Sequence, residues 1–328
     1  MSDKRVIRVS GKGRIKVNSM VPCNAFLERA ALLVRPFGDG HINDSFLVET
    51  DDGKYVCQRI CKAMNVSRLE HNYLLYAEAC DKTSWPYPKW MKTQDGKLFY
   101  KDKAGDCWRT YPLIEGQILF PPLTKEELYA CGQGLSKMHA ILQTLSEKPK
   151  PVYPMLHDLS HYYDRYLQII RDETYFADHR EAEVEKFLHE NIEDFLHLDS
   201  GRKAVIHGDP KLGNIVFQDG RVKTFIDLDT IMEGSLLEDL ADCVRSCCLT
   251  DGRLDQKAVQ ILLEGYLSSE DLGLTEGELR KLPDVIRKIC FELGLRYYTD
   301  SIAHVKSFKE KYPGYLLEKA KGYFEKVQ

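Results

Sequence analysis

In the first third of the chain the apolar positions come in short runs broken by glycine, aspartate and proline, whereas beyond about residue 120 they recur every three or four residues. The early pattern predicts strands. They lie around Pro36 and over Ser45–Thr50 and Lys54–Ile60, separated by the stretch Phe37-Gly38-Asp39-Gly40-His41-Ile42-Asn43-Asp44 and the turn Asp51-Asp52-Gly53. Asn24–Leu33 has helical spacing with Asn24 as its cap, and Val66–Cys80 predicts a helix with Leu69, Tyr73 and Tyr76 on one face. Trp85-Pro86-Tyr87-Pro88 breaks that helix, after which Gly96–Tyr100 and Trp108–Ile114 predict a hairpin.

The later pattern predicts helices. Thr124, followed by Glu126 and Glu127, reads as a cap and an acidic first turn, opening a helix to about Leu145 that carries His139 as a packed core residue. Further helices are expected over Leu159–Arg171, Ala182–Leu196, Leu236–Leu249, Gln256–Leu267, Thr275–Arg287, Leu293–Lys306 and beyond Pro313. The expected class is α+β, with a small β-rich lobe over residues 1–115, a larger mainly helical lobe over 116–328, and Pro112–Gly116 as the hinge.

One non-helical stretch interrupts the second half: Val205–Phe217, then Phe225–Asp229. Ile215–Phe217 and Val222–Ile226 flank Asp219-Gly220, a dipeptide that favours a two-residue turn. Phe217 then faces Val222, Asn214 faces Phe225, and Asp227 lies one diagonal step from Asn214, about 7–8 Å at the backbone. An amide oxygen and a carboxylate so placed can share one hard cation. Mg²⁺ suits this donor count, because it takes few protein carboxylates and completes its shell with water and phosphate oxygens. Asp209 can accept a hydroxyl proton and orient the oxygen for in-line attack on a γ-phosphoryl group, while Lys211 balances charge on the transferring group. Asp-x-Lys-x-x-Asn, followed by an aspartate after an apolar strand, is the order found in the protein-kinase catalytic loop. Gly38 and Gly40 would fold over nucleotide phosphates, offering backbone N–H groups at close approach. Singly, these residues also fit an Asx turn, a helix cap, a solvated lysine and an ordinary hairpin turn. It is their combination that points to phosphoryl transfer.

Composition sets the limits. With 328 residues, 43% of them hydrophobic, the chain can build one large or two modest domains. A net charge of -4 gives no electrostatic ground for a nucleic-acid partner. No apolar run has the length of a membrane span and the N-terminus lacks a signal-peptide pattern, so a soluble, cytoplasmic protein without a membrane partner is expected. The ten cysteines form no CxxC pair and fall mostly in apolar segments, as buried free thiols do.

The segments FGDGHINDSFLV (37–48), KYVCQRI (54–60), Trp108–Glu115, His207–Phe217, IDLDTIMEGS (226–235) and LGLRYYTDSIAHVKSF (293–308) together resemble the aminoglycoside phosphotransferase and choline kinase superfamily, which has the protein-kinase-like two-lobed fold. Within it the chain looks most like the N-acetylhexosamine 1-kinases, which phosphorylate the anomeric hydroxyl of N-acetylglucosamine or N-acetylgalactosamine. The resemblance implies ATP and Mg²⁺, with a nucleotide and a small-molecule sugar as partners. It makes Asp209 the base and Asn214 and Asp227 the metal ligands. Asp229 either assists the metal or orders the loop, and Asp239 braces the catalytic loop. Arg296 corresponds to a phosphate or substrate clamp, although by sequence alone it reads as a helix-surface cation. His41 and Asn43 correspond to a sugar-side segment or serve the turn.

The departures also matter. The third strand offers Gln58 and Arg59 on the nucleotide side where protein kinases place a lysine, a lack the sugar kinases tend to share. Ser246 stands where that group usually has an aromatic residue near the sugar. In His157-Asp158, Asp158 either belongs to a sugar-side pair or caps the next helix. Two other readings stay open: a cationic acceptor held by Tyr162, Tyr163, Asp164 and Asp300, and a non-catalytic nucleotide-binding protein.

Overall fold

The alternating runs of the first third pair into an antiparallel sheet in the computed structural model, which describes residues 21–38, 40, 42–250 and 253–327. Strands β1 (Leu33–Pro36), β2 (Asp44–Glu49), β3 (Lys54–Arg59), β4 (Tyr100–Lys101) and β5 (Cys107–Pro112) lie in the order β1-β2-β3-β5-β4. Because β3 pairs with both β2 and β5, Ser45, Gln58 and Arg109 form one row across one face, and Asp44, Arg59 and Trp108 form a row on the other. The second face packs Val34, Val48, Cys57 and Trp108 against Val21, Phe26 and Leu27.

That packing explains why Asn24–Leu33 is not a helix. Only the 3₁₀ turn Cys23–Ala25 forms, since Phe26 and Leu27 are drawn onto the sheet and burial overrides the local spacing. The expected hairpin from Gly96 is also shorter. Thr93 and Lys97 close a tight turn around Gly96 (φ +83°), leaving only Tyr100–Lys101 to pair. Helix α1 (Val66–Thr83), capped by the Asn65 side chain, lays Tyr73 flat on Trp90 with ring centroids 3.8 Å apart.

The helical part consists of α2 (Lys125–Leu142), α3 (Leu159–Arg171), α4 (Ala182–Leu196), α5 (Leu236–Cys247), α6 (Gln256–Leu267), α7 (Glu276–Ile302) and α8 (Tyr315–Phe324). Thr124 and Glu127 form a reciprocal capping box on α2, and Asp158 caps α3 by accepting from the His161 N–H. Two helices expected over 275–306 are one. Residues 288–292 are buried all round, and the charged members find partners in place, Lys288 on Glu238 and Glu292 beside His157, so the helix runs through. Three antiparallel strand pairs are set among the helices: β6 (Lys203–Ile206) with β9 (Met232–Ser235), β7 (Ile215–Gln218) with β8 (Arg221–Phe225), and the short β10 (Leu249–Thr250) with β11 (Arg253–Leu254). An antiparallel sheet beside a helical lobe that carries these hairpins is the kinase-like fold.

Helices α2 and α6 cross where neither has a side chain to spare. A Cβ on Gly132 would lie 2.0 Å from the Leu262 carbonyl oxygen, and one on Gly265 would lie 2.1 Å from that of Tyr129. Gly132→Ala therefore forces the helices apart and should destabilise the protein by about 1–3 kcal/mol, read as a shift in the urea midpoint at unchanged slope.

Candidate active site

The loop between β6 and β7 carries Asp209, Lys211 and Asn214, and α5 holds it from beneath. The buried carboxylate of Asp239 accepts from the backbone N–H groups of His207 (2.7 Å) and Gly208 (2.8 Å) and lies 3.0 Å from His139 Nε2. His139 is the core residue expected, its Nδ1 2.7 Å from the Tyr266 hydroxyl. Gly208 has φ +84°, and a Cβ there would meet the Thr230 carbonyl oxygen at 2.6 Å. His207 Nδ1 accepts from the Asp209 N–H, leaving Nε2–H to donate to the Ile226 carbonyl at 3.1 Å. Burial holds this imidazole below its ordinary pKa, so it is neutral. Ser246 accepts from the Leu212 N–H and donates to the Cys243 carbonyl, both at 2.9 Å, and thus supports the loop.

Asn214 Nδ2 donates to both the backbone oxygen (2.8 Å) and the carboxylate (3.1 Å) of Asp209. Burial opposes ionisation of Asp209, but Lys211 Nζ, 2.5 Å away, with Arg245 contributing less, keeps its carboxyl below the usual value. The register around Asn214 differs from expectation. Phe217 does face Val222, but Val216 faces Thr224, with Lys223 the extra residue of a bulge. Phe217 commits both backbone groups to Gln117 at 2.8 Å, and the pairing slips beyond it. Ile215 therefore opposes Phe225, and the Asn214 carbonyl accepts from Ile226 N–H at 2.9 Å, one residue nearer Asp227.

Asp227 follows in the left-handed region, φ +64°. Its side chain opens to the cleft, yet burial by the cleft walls, then Asp229 and Asp209, raise its carboxyl to about 6 despite Lys211. That crowding of negative charge suits a cation. With the Asn214 amide nitrogen committed to Asp209, its Oδ1 and the Asp227 carboxylate are the hard donors on offer. Among the described residues no group of three or more His, Cys, Asp or Glu could hold a metal, so such a cation would need water or phosphate oxygens to complete its shell.

Asp229, expected beside the metal, is otherwise engaged. Its oxygens receive Arg109 Nη1 (2.5 Å) and Nη2 (2.9 Å) and the Asn43 amide (2.8 Å). This favours the loop-ordering alternative. Asn43, whose Oδ1 also accepts from the Cys61 N–H, joins this buried group rather than an acceptor. Gln58 accepts from Arg109 Nε at 2.9 Å, whereas Arg59 faces the other way, pairing with Asp44 (2.6 Å) and Asp106 (3.5 Å). Gln58 and Arg59 thus do not converge. Gly38 (φ +78°) and Gly40 lie in the β1–β2 turn, where the Gly40 carbonyl accepts from Lys309 at 3.2 Å; His41 lies outside the described residues. Arg109 was missed from the sequence. Its signal was a lone charge inside the run Trp108–Leu113, cross-strand from Gln58.

Arg296, on α7, has its guanidinium over the rings of Tyr162 (4.5 Å) and Phe308 (5.2 Å) and 3.4 Å from Glu292. Buried Glu292 is also 3.6 Å from His157 Nδ1, ion-pair range but beyond a hydrogen bond. Burial disfavours a charged His157, but Glu292, with Glu238 and Asp242 behind it, holds its pKa up at about 10, and Nε2 donates to the Gly208 carbonyl. Asp300 is consumed by Arg165 and by the Ser307 and Phe308 N–H groups, all at 2.7 Å. Tyr163 lies 3.0 Å from His189 Nδ1, and Asp164 is exposed.

Residues 33–273 match the model of the phosphotransferase enzyme family. The chain belongs to that family. This phosphotransferase is similar in structure to an amicoumacin kinase solved with AMP-PNP, Ca²⁺ and Ami, at TM-score 0.64 and 13% identity over 92% of this chain and 91% of that one. It is similar also to a microcompartment-associated aminopropanol kinase (0.62, 16%, over 89% and 90%) and to an aminoglycoside phosphotransferase from Alicyclobacillus acidocaldarius (0.62, 13%, over 96% and 94%). These likenesses show the shared fold. Family membership makes the chain a small-molecule phosphotransferase.

Two outcomes test the support of the loop in this phosphotransferase. Asp239→Asn leaves one buried N–H facing an amide NH₂ and should lower stability by about 1–3 kcal/mol, measured by urea denaturation. The folded-state pKa of His157 exceeds its ordinary value of 6.5, so its stabilisation is complete below that pH and fades as pH rises through about 10. The gap in thermal midpoint between wild type and His157→Gln should therefore narrow from neutral pH to pH 10.

Proposed function

We propose that this phosphotransferase uses ATP and Mg²⁺ to phosphorylate a sugar hydroxyl, the anomeric hydroxyl of an N-acetylhexosamine. The observation that carries the acceptor class is the placement of Arg296. An aromatic pair such as Tyr162 and Phe308 is what would hold an ammonium group, but here the chain's own guanidinium lies over both rings. A choline-like or aminoglycoside ammonium would meet that positive charge. A neutral polyol meets hydrogen-bond donors instead, from the part-exposed Arg296.

In this reading Asp209, kept ionised by Lys211 and oriented by Asn214, accepts the proton of the attacking hydroxyl. Asn214 and Asp227 hold the metal, which when bound supplies charge neutralisation at the phosphate oxygens. The turn bearing Gly38 and Gly40 covers the phosphates, residues 1–115 form the nucleotide side, and Pro112–Gly116 is the hinge to 116–328. Catalysis comes chiefly from positioning and electrostatics.

The test is ATP consumption with Mg²⁺ and N-acetylglucosamine, N-acetylgalactosamine, glucose, galactose, choline or an aminoglycoside as acceptor. Turnover is expected on the N-acetylhexosamines, falling about 10²–10⁴-fold in Asp209→Asn while ATP affinity stays within a few-fold. Turnover confined to choline or the aminoglycoside would overturn the acceptor class, and near-normal turnover in Asp209→Asn would overturn the base.

A further inference from the structure

We infer that Arg109 is a positioning residue which, through Asp229, fixes the conformation of Asp227 and so couples the β-sheet to the metal-side loop, a coupling that bears on nucleotide affinity if the kinase reading above holds. Arg109 is 2% exposed, and each nitrogen of its fork has a partner: Nε on Gln58, Nη1 and Nη2 on Asp229. Two of its five N–H donors remain, but at this depth they are closed to a phosphate from solvent, so Arg109 acts through Asp229. Beneath it lies the Trp90 ring at 4.5 Å, itself stacked on Tyr73 of α1. Asn43, at the start of β2, adds a second strap to the same carboxylate.

Asp227 stands between two fixed points. On its N-terminal side Ile226 N–H is bonded to the Asn214 carbonyl; on its C-terminal side the 3₁₀ turn Leu228–Thr230 carries clamped Asp229. A non-glycine residue at φ +64° holds that conformation only where its surroundings impose it. With the clamp released, Asp227 is free to leave the left-handed region and its carboxylate turns away from Asn214. The contact between sheet and loop is thus made by an arginine on β5, cross-strand from Gln58 on the third strand.

The test compares wild type with Arg109→Lys and with the double variant Arg109→Met/Asp229→Asn, which removes both charges and leaves no buried ion unpaired. Hydrogen exchange at the amides of residues 227–231 reports the loop, calorimetry reports Mg²⁺·ATP affinity, and steady-state kinetics report the acceptor KM. The double variant is expected to stay folded, exchange at least tenfold faster over 227–231, and bind Mg²⁺·ATP at least tenfold more weakly, with acceptor KM within threefold. Arg109→Lys, which keeps the charge but not the fork, should fall between. Unchanged exchange in the double variant would overturn the inference, as would an acceptor KM rising in step with the loss of nucleotide affinity. Faster exchange in a protein whose wild type binds no Mg²⁺·ATP would uphold the clamp and sink the proposed activity.

Discussion

Three carboxylates, Asp209, Asp227 and Asp229, lie close enough that two of them oppose ionisation of the third, Asp227, and the arrangement around them follows from that repulsion. Asp229 is neutralised by Arg109 from the sheet, in a fully buried bidentate pair. Asp209 is neutralised by Lys211 from its own loop. Asp227 has no ion pair of its own among the described residues, and burial, then the charge of Asp229, raises its pKa. The three acids thus divide into one that joins the sheet to the loop, one kept ionised by Lys211, and one without a cationic partner among the described residues. Charge of this kind cannot be rearranged piecemeal, because unpairing any one buried partner leaves the other uncompensated.

Much of this was legible in the sequence because the information was local. Asp219-Gly220 specified the hairpin, Thr124-x-x-Glu127 the start of α2, and the spacing of Asp209, Lys211 and Asn214 the loop. Non-local information failed to show. The bulge at Lys223 depends on Gln117, far away along the chain, which claims the backbone of Phe217; no turn rule contains that. Arg109 and Asp229 are 120 residues apart, and only β-sheet register together with lobe packing brings them into contact. Asn24–Leu33 erred in the opposite direction, since its spacing was helical but its apolar residues were needed on the sheet.

The departures from the resembling sugar kinases take on a different meaning once partners are seen. Ser246 is no platform for a ring. It ties the backbone of Leu212 to α5 and so supports the loop. Gln58, in place of a lysine, is one step in a relay from Ser45 to Arg109. At 13–16% identity to its structural neighbours the chain shares their fold.

The unbroken run of α7 has an evolutionary consequence. Lys288, Glu292 and Arg296 recur every fourth residue along it and touch, in turn, Glu238, His157 and the Tyr162–Phe308 pair. Three contacts that tie separate segments of the helical lobe together therefore hang from a single rod, and none of them involves Asp209 or Asp227. Substitutions along that stripe can change those contacts while the loop bearing Asp209 keeps its own supports on Asp239 and Ser246, so the two parts of the lobe are free to vary separately.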